Sequence, residues 1–248
     1  MVETNDTEIE KREEIFVFGD SVMKGVVLNN PEERYRLLPA ATRKQLEDEF
    51  SIKLMNRSHF GSTIDSGTAL VKQIVERTPS CKTVVLEFGG NDCDYDWEAV
   101  AEDPYGEHEP RTPIDLFTSK YKELIAYLKE KKITTVLMNL PPIDPERYLN
   151  FICRNGLSKE RILEYIGDMN MIYRFQELYS HTIDRLAYLT DSFLIDVREQ
   201  YLIRRDYRDL ICLDGIHPNQ AGHELLYDAI RQFISKQVGD REFFSTYA

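Results

Sequence analysis

The chain has 248 residues, of which 42% are hydrophobic and 30% charged, a balance typical of folded globular proteins rather than disordered ones. That length supports a substantial core without disulfides or a structural metal. The formal net charge of −12 excludes nucleic acid and anionic membrane surfaces as expected partners.

The first thirteen residues read as a charged, disordered tail, and residues 14–248 as one domain. Residues 1–14 carry six acids and two bases and lack the apolar stretch of a secretory signal. Short runs rich in β-branched and aromatic residues follow at 15–18, 52–55, 83–88, 133–140 and 193–197. Their near-continuous apolar character predicts strands buried on both faces, as in a parallel sheet. The segments between them are long enough for helices, which makes the fold class α/β with helices on both faces of the sheet. Thr112-Pro113-Ile114-Asp115 marks a helix start, with Thr112 as cap and Asp115 reaching back to it. Ile114, Phe117, Tyr121, Leu124, Ile125 and Leu128 then recur on one face. A long helical stretch is predicted from about 158 to 189. A last helix starts near Asn219, with Ala221, Leu225, Leu226, Ala229, Ile230, Phe233 and Ile234 as its buried stripe. No run approaches the roughly 18–20 apolar residues that cross a bilayer. Cys81, Cys93, Cys153 and Cys212 are scattered without C-x-x-C pairing, so a reducing, cytoplasmic setting is expected.

Polar clusters fall at the strand ends, where open parallel sheets bind ligands. Gly19-Asp20-Ser21 follows the first strand, Asn56-Arg57-Ser58-His59-Phe60-Gly61 the second, and Gly89-Gly90-Asn91-Asp92 the third; Asp214-Gly215-Ile216-His217-Pro218 precedes the last helix. Each alone reads equally as a plain turn or a helix cap. The three-residue spacing of Asp214 and His217 changes this, because within a tight loop it lets a carboxylate accept the imidazole Nδ1 proton. A serine at a strand end then supplies a nucleophile that needs such a base.

Together these blocks resemble the SGNH/GDSL hydrolase family of esterases and lipases. In that resemblance Ser21 matches the nucleophile, and Asp214 and His217 match the acid and base. The oxyanion hole would be made by the Ser21 and Gly61 backbone N–H groups and the Asn91 amide. The implied fold is a flavodoxin-like three-layer α/β/α sandwich around a five-stranded parallel sheet. The implied activity is hydrolysis of carboxylic esters through an acyl-enzyme, without a cofactor or a metal. One departure is Ser58, where the family's second block usually has glycine. A thioesterase, a lysophospholipase and a non-catalytic binding module on the same fold are the alternatives.

The substrate is expected from the loops. About twenty residues separate Asn91 from the helix at Thr112, and a loop that long is usually functional. It carries Tyr95 and Trp97, and the segment 141–157 carries Arg147, Tyr148 and Phe151; Trp97, Tyr95, Arg147 and Tyr148 are the expected substrate rim. Asp92, Asp94 and Asp96 alternate like calcium ligands, but Trp97 and Asp103 stand where an EF-hand loop needs glycine and glutamate. Residues 92–115 hold nine acids and one base. Such a field at the rim would favour neutral or cationic small-molecule esters, with a short acyl group and a sugar-like alcohol as the expected class. His223 and His59 are expected to be structural.

Overall fold

The computed structural model describes residues 12–29 and 34–240. Its sheet is built from β1 (Glu13–Gly19), β4 (Ile52–Asn56), β5 (Thr83–Glu87), β6 (Thr134–Met138) and β7 (Phe193–Ile195), parallel and ordered β4-β1-β5-β6-β7. This is the doubly wound flavodoxin order, whose direction switches beside the first strand. The apolar runs form strands because their alternate residues have a helix layer to enter on either side. Phe16, Phe18, Val84, Leu86 and Leu137 pack against α3 (Ile64–Arg77), α5 (Ile114–Glu130) and α8 (Asn170–Leu189). Ile15, Val17, Val85, Val136 and Met138 pack against α1 (Ser21–Lys24), α2 (Ala41–Glu49) and α10 (Gln220–Asp240).

The remaining elements surround the carboxyl ends of the strands. β2 (Val26–Asn29) and β3 (Arg34–Leu37) form an antiparallel ribbon that the sequence patterns did not predict. α4 (Trp97–Glu102) lies inside the presumed loop after Asn91, and α6 (Pro145–Ile152) inside segment 141–157. The long stretch from 158 is two helices, α7 (Lys159–Ile166) and α8, because Gly167 leaves the helix with φ 71°. α9 (Val197–Leu202) begins where the fifth strand was expected to end, with Asp196 capping it through Glu199 N–H.

Three sequence expectations are corrected here. Thr112 does not cap α5: Pro113 holds that position without a side-chain bond, and Thr112 is buried with its N–H on the Asp92 carbonyl (3.0 Å). Ala221 is exposed, and His223 takes its place on the buried face of α10. Glu13, assigned to the tail, is the first residue of β1, while residues 1–11 of that tail lie outside the described residues. The last helix starts beside Asn219 as expected, and the Asn219 side chain accepts from Gly222 N–H at 3.1 Å. No helix among the described residues is long and apolar enough to cross a membrane.

Candidate active site

β1 ends at Gly19, and Asp20 caps α1 by accepting from Val22 N–H at 2.8 Å. Because Asp20 does the capping, the Ser21 hydroxyl is left for another partner. That partner is His217, whose Nε2 lies 2.8 Å from Ser21 Oγ. On the other side of the ring, Nδ1 lies 2.6 Å from Asp214 Oδ2. A carboxylate only accepts, so Nδ1 carries the proton and Nε2 accepts from the serine. Asp214 Oδ1 also accepts from the Ile216 and His217 N–H groups, both at 3.1 Å. Burial pushes the Asp214 carboxyl up, but these bonds and the facing imidazole hold it below its ordinary value. Ser21, His217 and Asp214 are 7%, 2% and 0% exposed, so the chain of hydrogen bonds is shielded from water.

The loop holding Asp214 and His217 is braced by α6. Cys212 N–H bonds the His217 carbonyl (2.8 Å) and Asp144 N–H the Gly215 carbonyl (2.8 Å). Gly215 has φ 79°, and a Cβ there would meet Tyr148 N at 2.4 Å, so only glycine lets the turn lie against the helix. Arg147 belongs to this brace rather than to the substrate rim. Its Nη1 donates to the Arg208 and Ile211 carbonyls (2.8 Å each), and its Nε pairs with Asp144 at 3.4 Å.

Asn91 follows β5 through Gly89-Gly90, and its Nδ2 donates to Asp20 Oδ2 (2.9 Å) and the Ser62 carbonyl (3.1 Å). Gly61, at φ 73°, stands exposed in the neighbouring loop, whose His59 N–H is tied to the Gly19 carbonyl at 3.1 Å. Among the described residues neither Ser21 N–H nor Gly61 N–H has an acceptor. Ser58 is buried with its N–H on Asn56 Oδ1 (2.9 Å), so the loop turns without the second glycine.

A cavity of about 690 Å³, open mouth included, adjoins Ser21, His217 and Asn91. Leu140, Ile143, Ile172, Phe175 and Ile216 make it largely apolar, and α8 contributes residues that no motif announced. Trp97 and Tyr148 line it as expected, locked together through Asp94: Trp97 Nε1 and Tyr148 Oη donate to Asp94 Oδ1 at 2.8 and 2.7 Å. Asp94, Trp97, Tyr148 and Ile216 also line a wider groove of about 1900 Å³ and so separate the two spaces. Tyr95 lines the groove rather than the cavity and is buried among Trp97, Tyr165 and Phe175. Two rings that sequence reasoning missed flank the base: Tyr35 of β3 lies edge-on to His217 at 5.2 Å and Phe60 stacks at 6.0 Å. Burial and the Asp214 carboxylate push the Tyr35 phenol up.

The three alternating acids go to separate partners. Asp92 accepts from Ile64 N–H at the start of α3 (3.0 Å), and its burial pushes it up to about 6. Asp94 holds the Trp97–Tyr148 pair, and Asp96 caps α4. The described residues include no cluster of His, Cys, Asp and Glu that could hold a metal ion. His223 is structural as expected, with Nε2 3.2 Å from the Val26 carbonyl and burial pushing it down to about 4. His59 is exposed.

A Ser–His–Asp chain at the carboxyl ends of such a sheet is the equipment of a serine hydrolase. The family model for the GDSL-like Lipase/Acylhydrolase family matches residues 17–225, and the chain belongs to that family. It is accordingly a serine hydrolase acting on ester bonds. Comparison with curated proteins gives no match. Among solved structures, the lipase/acylhydrolase of Enterococcus faecalis is similar at 18% identity and TM-score 0.63, over 92% of this chain and 97% of that one. A catalytic mutant of an acetylxylan esterase from Geobacillus stearothermophilus is similar at 17% identity and TM-score 0.63, covering 90% and 94%. The psychrotrophic esterase EstA from Pseudoalteromonas sp., inhibited by monoethylphosphonate, is similar at 17% identity and TM-score 0.59, covering 92% and 99%. At these identities the likeness is one of fold.

Proposed function

We propose that the protein hydrolyses short-chain carboxylic esters through an acyl-enzyme on Ser21. The observation that carries this is the continuous Ser21–His217–Asp214 hydrogen-bond chain, at 2.8 and 2.6 Å, opening on a cavity. His217 Nε2 takes the hydroxyl proton as Ser21 Oγ attacks the carbonyl carbon, then delivers it to the departing alkoxide. Water repeats the sequence on the acyl-enzyme, releasing the acid and restoring Ser21. Asp214 keeps the ring in the tautomer that can accept and stabilises the imidazolium. The oxyanion is held by the Ser21 and Gly61 N–H groups and an Asn91 amide hydrogen.

The acyl group enters the apolar cavity, which the Asp94-locked Trp97 and Tyr148 wall off from the groove. That wall supports a short acyl group, and the fold likeness to an acetylxylan esterase supports an acetylated carbohydrate as one candidate. A neutral or cationic alcohol suits the acidic surroundings.

A fluorophosphonate probe tests the chemistry: it labels wild type at Ser21 and leaves Ser21→Ala unlabelled. Folded wild type that resists labelling would make this a binding module instead. A panel of p-nitrophenyl esters, acetylated sugars and an acyl-CoA then tests the substrate class. Turnover should fall steeply beyond butyryl, and acyl-CoA preference would point to a thioesterase.

A further inference from the structure

The mechanism above leaves one buried acid without a role. Glu87, the last residue of β5, is fully buried, and its Oε2 accepts from Asp20 N–H at 3.2 Å. The carboxyl is pressed against the strand end that presents the nucleophile: a Cβ on Gly19 would lie 2.7 Å from Oε2. Oε1 is buried and no donor reaches it. Asp20 is 2% exposed, with Oδ1 on Val22 N–H (2.8 Å) and Oδ2 on Asn91 Nδ2 (2.9 Å).

Two buried carboxyls packed against each other, as those of Asp20 and Glu87 are, do not both ionise. Asp20 has the donors that stabilise a carboxylate, and it faces His217; Glu87 has one backbone N–H. The other titratable groups facing Glu87 are Asp92 and Tyr121 of α5, and neither brings a positive charge. Burial and the neighbouring Asp20 charge accordingly push Glu87 well above the carboxylate range. A proton on Glu87 also explains the orphaned Oε1, since a neutral acid donates where a carboxylate can only accept.

We propose that Glu87 is a positioning residue that stays protonated in the working enzyme and donates to the Asp20 carboxylate, so that Asp20 fixes the Asn91 amide beside Ser21. The inference rests on the reading of Ser21 as nucleophile and Asn91 as oxyanion donor. No bond is made or broken at Glu87; its proton is shared with Asp20 throughout. Loss of that proton puts a second negative charge against Asp20, displacing the carboxylate that orients Asn91.

The test uses wild type, Glu87→Gln and Glu87→Leu, with p-nitrophenyl acetate kinetics from pH 6 to 10 and infrared spectra at pH 8, where Asp92 is ionised. A glutamine can accept from Asp20 N–H and donate to the carboxylate without titrating. Glu87→Gln should therefore keep kcat within about threefold at pH 7, and any alkaline decline of wild type that stems from Glu87 should be absent from it. Glu87→Leu should lower kcat by about 10²-fold at nearly unchanged KM, the size of losing one oxyanion donor. Wild type should show a carboxylic-acid C=O band that Glu87→Gln removes. Absence of that band, or a loss of kcat in Glu87→Gln as large as that expected of Glu87→Leu, would overturn the proposal, and both measurements stand even if Glu87→Leu does not fold. Normal fluorophosphonate labelling of Ser21 alongside either result would sink the Glu87 role alone, while absent labelling of wild type would sink the nucleophile assignment.

Discussion

Both hydrogens of the Asn91 side-chain amide are engaged in the resting structure, one by the Ser62 carbonyl and one by Asp20. An oxyanion carries far more charge than a carbonyl oxygen, and a hydrogen bond to a charged acceptor is roughly twice as strong as a neutral one. In the proposed mechanism the N–H now on Ser62 is the one the developing oxyanion captures, while the bond to Asp20 holds the amide plane still. Asn91→Ala should therefore lower kcat by about 10²–10³ with KM changed only a few-fold, and steady-state kinetics on p-nitrophenyl acetate measure it. A loss confined to KM would show that Asn91 binds substrate without stabilising the transition state. Ser21, Asn91, Asp214 and His217 were legible as a candidate site because their chemistry admits few substitutes and each stands in a polar cluster after a strand or before a helix. Arg147 was not: its guanidinium is drawn to two backbone carbonyls and a buried carboxylate, partners that only the fold brings near. Glu87 drew no reading inside the apolar run 83–88, since nothing local shows that Asp20 lies across the neighbouring strand.

Among the elements, the strands of the sheet were readable because burial on both faces leaves an unbroken apolar signature. The β2–β3 ribbon was harder to read: β2 offers only the three buried apolar residues Val26, Val27 and Leu28, and in β3 Arg34, Tyr35, Arg36 and Leu37 are all exposed. Its consequence for the site, the Tyr35 ring against His217, was therefore invisible as well. The helix interruption at Gly167 was misread because apolar spacing continues across it through Ile166 and Ile172. α4 was hidden in a loop for a related reason, being only six residues long. Yet α4 sets the wall between cavity and groove, since Asp96 caps it and Trp97 opens it. Trp97→Ala removes the indole that separates cavity from groove, along with its bond to Asp94. The chain-length optimum on p-nitrophenyl esters should move from acetyl towards hexanoyl or longer, with acetate turnover lower because the small substrate is held less firmly. An unchanged optimum would mean that the acyl group does not lie against this wall.

At the scale of the whole molecule, the formal charge of −12 is unevenly placed. Part of it belongs to residues 1–11, outside the described residues. Within 92–115, the first three acids are engaged locally: Asp92 at the start of α3, Asp94 under Trp97 and Tyr148, and Asp96 on α4. Glu98 and Glu102 are exposed and line the groove with Asp94 and Asp96, four acids beside the two guanidiniums of Arg111 and Arg154. Arg111 is itself paired with Asp94 at 3.4 Å. The field that the sequence placed at the mouth of the site thus comes from the groove side, one wall away from Ser21. An alcohol group that leans over that wall comes under this field, which salt screens over a Debye length of roughly 8 Å at physiological ionic strength. Raising the salt should therefore increase kcat/KM for an anionic ester, leave a neutral ester of equal size unchanged and decrease it for a cationic one. Measured from 20 to 500 mM NaCl on three acetate esters differing only in the charge of the alcohol, the three slopes should differ in sign. A common slope would show that the acids of α4 do not reach the substrate, leaving the apolar cavity and its wall as the determinants of choice.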